Sequence, residues 1–132
     1  MNSLFWKRGQ DIRIFGILLI AAGTFDLIWI ASYPQYALKV FGTTFDGWLG
    51  EVVKYQHPFI HWLLGYGFWK LRLWAFAGYL AYLAVACFSE VVTQLVDGFN
   101  TTRMTMIIVS LLVGAYIIFR RPVFSTHAPV TN

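Results

Sequence analysis

The chain has 132 residues, of which 58% are hydrophobic and 12% are charged, and its formal net charge is +4 at pH 7. Its mean hydropathy is +0.61, whereas about 25% of the residues in an ordinary soluble domain are charged. Because a short soluble chain buries only part of its surface, this composition excludes an ordinary soluble domain and indicates a membrane protein. The length indicates one domain, residues 1–132.

Three apolar runs are candidates for membrane-spanning helices. Residues 14–32 and 73–92 each contain one charged residue, and residues 104–119 contain none. A helix needs about 20 largely apolar residues to cross the hydrocarbon core. The first two runs meet this length, and the third meets it when Thr101 and Thr102 lie at the interface. Solid apolar runs predict helices, since the strands of a membrane barrel alternate in polarity.

The segment before Lys70 is harder to interpret because its apolar part, residues 58–69, would span only about 18 Å as a helix. Either this part is re-entrant, or a longer helix begins near residue 46 and runs through Pro58. We favour the longer helix because, with four spans, most of the basic residues between and beside the helices fall on one side of the membrane. The predicted fold is an all-α, four-helix transmembrane bundle. It has helices at residues 13–33, 46–69, 72–95 and 102–120, followed by a mobile tail at 121–132.

The basic residues predict the orientation of this bundle. With four spans, both termini share one side, which carries Lys7, Arg8, Arg13, Lys70, Arg72, Arg120 and Arg121. The other side carries Lys39, Lys54 and Arg103. By the positive-inside rule both termini are expected in the cytoplasm, and we expect the bacterial inner membrane. Since the basic residues flank the spans, nucleic acid is not an expected partner.

Two histidines in the second helix raise the main functional question. His57 and His61 are four residues apart, so they share one helix face, together with Glu51 and Lys54. At helical rise, His57 lies about 20 Å and His61 about 14 Å from the cytoplasmic edge. Because charged groups are costly against lipid, we expect this polar stripe to face other helices.

Carboxylates on two other helices reach similar depths. Asp26 lies about 20 Å from the cytoplasmic edge, level with His57, and Glu90 lies about 27 Å from it. The candidate polar cluster therefore consists of Asp26, Lys54, His57, His61 and Glu90.

This cluster has one structural interpretation and two functional ones. In the structural one, which we favour, Asp26 hydrogen-bonds His57 and Glu90 pairs with Lys54 or Arg103, so no cofactor is expected. Alternatively, His57 and His61 bind a transition metal with the carboxylates, or one histidine ligates haem iron or a chlorophyll-type pigment. The same groups can also relay protons.

The sequence contains none of the common catalytic or nucleotide-binding motifs, such as HExxH, GxSxG or a P-loop, so an enzyme is not expected.

Aromatic residues reach 19%. The predicted function is a small accessory subunit of a larger membrane complex, such as a respiratory or photosynthetic one, with lipid and other subunits as partners. The alternatives are a metal-, haem- or pigment-binding protein using His57 and His61, and a proton-coupled small transporter using Asp26 and Glu90.

Overall fold

The computed structural model describes residues 9–125, which are predominantly helical. The helices are α1 (Gln10–Ser32), α2 (Gly47–Trp69), α3 (Leu73–Asp97), α4 (Thr101–Phe119) and the short α5 (Arg121–Ser125). Between α1 and α2, strands β1 (Lys39–Val40) and β2 (Thr43–Thr44) pair antiparallel as a small hairpin. We call the end of the molecule with α5 the terminal end, and the opposite end the hairpin end.

Three of these helices, α1, α3 and α4, are long and apolar enough to cross a membrane. This indicates a membrane protein. The second helix, α2, is as long as α1 and continues through Pro58. It does not reach the same apolar composition, because Glu51, Lys54 and the two histidines interrupt it. Many large apolar side chains, such as Leu18 and Leu112, are exposed on the described surface, which suits contact with lipid.

Glycines allow α1 and α2 to pack with their backbones in contact. A Cβ atom added to Gly65 would lie 2.6 Å from the carbonyl oxygen of Gly16, and one added to Gly16 would lie 2.6 Å from the carbonyl oxygen of Gly65. Towards the hairpin end, a Cβ at Gly23 would lie 2.8 Å from the carbonyl oxygen of Pro58. Small residues allow this kind of close approach in membrane helix pairs. The antiparallel register pairs the middle of α1 with the middle of α2.

The apolar core occupies the terminal end of the molecule. Phe68 of α2 lies at its centre and is fully buried. Its ring packs edge-on against Phe15, Tyr79 and Phe124, at centroid distances of 5.4, 5.3 and 5.4 Å. Helices α1, α2, α3 and α5 therefore meet in one aromatic cluster.

The residues after α4 differ from the sequence-based prediction. Residues 121–125, which we assigned to a mobile tail, form α5, and its Val123 and Phe124 are buried. The prediction was wrong for these five positions because Phe124 fills the space beside Phe68 and Phe76. Residues 126–132 of the predicted tail lie outside the described residues.

An ion pair links the first and last long helices at the terminal end. Arg120 donates from Nε and Nη2 to the two carboxylate oxygens of Asp11, at 2.7 Å each. Tyr116 donates a further hydrogen bond of 2.5 Å to the same carboxylate. Such bidentate pairs are among the stronger hydrogen-bonded contacts in proteins. This contact fixes the start of α1 to the end of α4.

At the hairpin end, the β-hairpin docks on the last turns of α3. The amide of Phe41 donates to Ser89 Oγ and the amide of Gly42 donates to Thr93 Oγ1, both at 2.9 Å. Lys39 pairs with Asp97 at 2.5 Å. The hairpin is therefore fixed to the last turns of α3.

We predict that Gly65→Ala destabilises the protein by about 1–3 kcal/mol, as overpacking typically does. The new methyl group would meet the backbone of α1, which cannot rotate away. Gly78→Ala is the matched control, since its Cβ would meet only the flexible end of Leu64, at 3.1 Å. Helix propensity there favours alanine by up to about 1 kcal/mol. Thermal unfolding in detergent measures both variants, and equal melting temperatures would contradict the close-packing argument.

Candidate functional site

Three ionisable side chains meet between α1 and α2. Asp26 Oδ2 of α1 lies 3.4 Å from His57 Nε2 and 3.3 Å from His61 Nδ1. The two imidazole rings lie side by side, with centroids 4.3 Å apart. One ligand atom from each of the three side chains lies within 4.8 Å of the other two. One carboxylate oxygen is thus shared between two ring nitrogens.

The helices bring these side chains together by simple geometry. His57 and His61 are one helical turn apart on α2, so both rings point to the same side. Asp26 follows Gly23 by three residues, so it lies on the face of α1 that touches α2. Next to it, Trp62 Nε1 donates to Thr24 Oγ1 at 3.1 Å. The close approach at Gly23 is therefore what allows a short aspartate to reach both histidines.

A residue of α3 completes the surroundings of His57. The Nδ1 atom of His57 is hydrogen-bonded to the hydroxyl of Tyr82. Sequence reasoning missed Tyr82, although the depth comparison that found Asp26 could have found it. Tyr82 lies ten residues after Arg72, hence about 15 Å along the helix, which is close to the depth of His61. His57 therefore has one nitrogen towards Asp26 and the other bound to Tyr82.

The ring nitrogens of His61 have fewer hydrogen-bond partners than those of His57. The Nδ1 atom of His61 is buried and has no hydrogen-bond partner in the described part of the chain, although Asp26 Oδ2 is only 3.3 Å away. At this distance the two groups form an ion pair when His61 is protonated. A buried polar atom left in this state costs about 1–3 kcal/mol. The site therefore favours a cation or a proton that bonds this nitrogen.

The two other candidate residues do not join the cluster. Glu90 pairs with Arg103 at 2.9 Å, which is one of the two partners expected for it. Lys54 pairs with Glu51 at 2.7 Å; its side chain is 5% exposed, whereas that of Glu51 is 57% exposed. The structure thus brings together Asp26, His57 and His61, and it places Lys54 and Glu90 in separate ion pairs.

The donor set of the cluster suits a small divalent ion. Two imidazoles and a carboxylate are ordinary zinc ligands, and tetrahedral zinc with bonds of about 2.0–2.1 Å holds its ligand atoms about 3.3–3.4 Å apart. The contacts from Asp26 to His57 and His61 have this length. A haem or chlorophyll-type ring instead needs one imidazole nitrogen facing an open, flat space. His57 lacks that, since Asp26 and Tyr82 lie at its two nitrogens.

A cavity of about 800 Å³ borders the cluster. It lies among α2, α3, α4 and residues 36–39 in the hairpin half of the molecule, and His57, His61 and Tyr82 contribute to its wall. The cluster is therefore accessible from this cavity, and the side chains of His57 and Asp26 keep 36% and 31% exposure.

Comparison with known proteins assigns no family, since no protein-family model, no curated protein and no solved structure matches this chain.

We predict that, in metal-free protein, His57→Leu lowers stability more than His57→Gln. Glutamine can still hydrogen-bond Tyr82 and Asp26, whereas leucine removes the partner of the Tyr82 hydroxyl and leaves Asp26 in contact with His61 alone. An unpaired buried hydroxyl costs about 1–3 kcal/mol. Thermal unfolding in detergent with a chelator present measures the difference. Phe59→Leu is a suitable control, because Phe59 is on the same helix and exposed. Equal losses for the two His57 variants would show that its polar contacts add no stability.

Proposed function

We propose that this chain is an integral membrane protein that binds a divalent transition-metal ion, with Zn²⁺ as the best fit, through Asp26, His57 and His61. The observation that carries the proposal is the single carboxylate oxygen within 3.3 and 3.4 Å of two imidazole nitrogens. One of those nitrogens, His61 Nδ1, is buried without a hydrogen bond. A cation would bond this nitrogen and compensate the charge of Asp26, which is costly to leave alone in apolar surroundings.

A metal held in this way would have an open coordination position. Three protein ligands around a tetrahedral ion leave the fourth for water or an external ligand, as in catalytic and exchangeable zinc sites. The cavity beside His57 and His61 offers space for that ligand. The arrangement therefore favours exchange or ligand binding over a purely structural ion.

Tyr82 would hold the ring of His57 in the orientation that binds the metal. A metal-ligating histidine usually forms a hydrogen bond through its other nitrogen, and this bond fixes the ring orientation and the tautomer. The hydrogen bond between Tyr82 and His57 Nδ1 leaves Nε2 directed towards Asp26. Tyr82 is thus proposed as a positioning residue rather than a ligand.

We predict that purified, chelator-treated protein binds about one Co²⁺ or Zn²⁺ per chain, as one tetrahedral site requires. Asp26→Asn, His61→Ala and both His57 variants should lose it, because each removes a ligand. Tyr82→Phe should keep it with roughly 10–100-fold weaker affinity. The visible absorption of Co²⁺ and calorimetric titration with Zn²⁺ measure these effects.

Glu90→Gln is the matched control for this titration, since Glu90 is a carboxylate at the same cavity but outside the cluster. It should bind metal as the parent protein does. Absence of saturable binding in the parent, or unchanged binding in the Asp26 and His61 variants, would refute the metal site.

The proposed membrane arrangement has four spans with both termini in the cytoplasm of a bacterial cell, in the inner membrane. Helix α2 runs antiparallel to α1 with contacts from Gly16 to Asp26, so it covers the same depth as a helix that is apolar enough to span. Several of its polar side chains lie against α1, α3 or the cavity. The basic residues at the terminal end favour the cytoplasmic side for that end.

We predict that a reporter active only in the cytoplasm gives a signal when fused to either terminus. A reporter active only outside should give a signal when inserted near residue 36 or residue 98. The positive-inside rule and an even number of spans give this result. If α2 does not cross, the two termini will report opposite sides, and the proposed four-span arrangement is excluded.

The other two roles expected from the sequence have less support. The exposed apolar side chains suit an accessory subunit, but they suit lipid equally well. A proton-coupled carrier using Asp26 and Glu90 would require the two carboxylates to act together. Asp26 contacts the histidines, whereas Glu90 pairs with Arg103, so the geometry favours the metal site.

A further inference from the structure

The 800 Å³ cavity connects the hairpin end of the molecule with the candidate metal centre. Its outer part is lined by polar and charged residues, namely Lys39, Glu90, Asn100, Thr102 and Arg103. Its inner part is lined by His57, His61, Tyr79 and Tyr82, together with Cys87 and Ser110. Apolar side chains, including Leu83, Met106 and Ile107, line the rest of the cavity, so both of its ends carry polar groups within a mostly apolar wall.

The charges near the outer part compensate each other. Lys39 pairs with Asp97 at 2.5 Å, and Arg103 pairs with Glu90 at 2.9 Å. Because Lys39 and Arg103 are each paired with a carboxylate, they do not repel a cation that enters through this part. The volume is also far above the roughly 30 Å³ that one water molecule takes up in the liquid, so hydrated ions fit inside.

Packing restricts two other approaches to the cluster. On the α1 side, the backbone contacts at Gly16 and Gly23 leave no room between α1 and α2. At the terminal end, the aromatic core around Phe68 and the ion pair of Asp11 with Arg120 fill the space. Within the described part of the chain, this cavity is the larger of two that reach His57; the other, of about 410 Å³, lies between α2 and α3, and Ala86 lines both.

We propose that this cavity is an aqueous path by which a hydrated divalent transition-metal ion reaches Asp26, His57 and His61 from the compartment opposite the termini. The inference rests on the metal-binding role and orientation proposed above. A hydrated ion cannot pass through lipid, so a metal site at this depth needs a polar route. At the inner end of the path, the ion exchanges water molecules for the imidazole nitrogens and the carboxylate.

Cys87 can report on this path by chemical labelling, since it is the single cysteine of the chain and lines the cavity. Maleimides react with the thiolate form of cysteine, which requires a polar environment. A charged, membrane-impermeant maleimide added outside intact spheroplasts should therefore label Cys87 in the full chain, and Cys87→Ser should abolish the labelling.

Two matched tryptophan variants test whether the cavity is the route. Ala86 lines the cavity, whereas Ala84 is exposed on the outer face of α3. Ala86→Trp should abolish labelling of Cys87 and slow the loading of externally added Co²⁺ into sealed vesicles, and Ala84→Trp should change neither. Affinity for Co²⁺ in detergent checks that each variant is folded. Ala86→Leu provides a smaller obstruction if the tryptophan variant does not fold.

The outcomes separate the path from the metal site. Metal binding in detergent without external labelling of Cys87, or labelling only by a lipophilic maleimide, overturns the aqueous path and leaves the metal site in place. Labelling of Cys87 combined with no metal binding by the purified protein overturns the metal site, and with it the metal ion as the species that uses the path.

Discussion

The backbone contact between α1 and α2 determines the geometry of the candidate metal centre. Asp26 has a short side chain, and it reaches two histidines on α2 only because Gly16, Gly23 and Gly65 allow the helices to touch. Metal sites depend on ligand positions to within about 0.2 Å. A methyl group at any of these glycines would separate the helices by more than that. The glycines are therefore part of the site in a physical sense, although they offer no ligand atom.

The molecule divides into a densely packed half and a polar, open half. Phe68 and its aromatic neighbours fill the terminal half, and the contact of Asp11 with Arg120 holds α1 and α4 together there. The hairpin half contains the polar cluster and the cavity, and its helices are joined by hydrogen bonds such as that of His57 with Tyr82. Packed cores are rigid, so the terminal half can fix the register of α1 and α2 that brings the ligands together, while the hairpin half gives access.

The sequence predicts the helices better than their contacts. Apolar runs locate α1, α3 and α4 because lipid imposes both length and composition. The fixed helical rise matches the depths of Asp26 and His57, but depth alone does not tell which helices are neighbours. The pairing of Gly16 with Gly65 depends on the register of two helices, and the burial of Phe124 depends on the space beside Phe68. Both arise from tertiary packing, so no local pattern predicts them.

The carboxylates of the chain show why Asp26 is the unusual one. Asp11, Glu51, Glu90 and Asp97 each pair with a lysine or arginine, and Asp46 is exposed at the start of α2. Asp26 instead contacts two imidazoles, which are ordinarily neutral near pH 7. Its negative charge is then compensated only when a proton or a cation joins the cluster. A proton would satisfy one imidazole, whereas a divalent ion would bond both histidines and the carboxylate together. The shared oxygen, within 3.4 Å of both rings, is the arrangement that favours the ion.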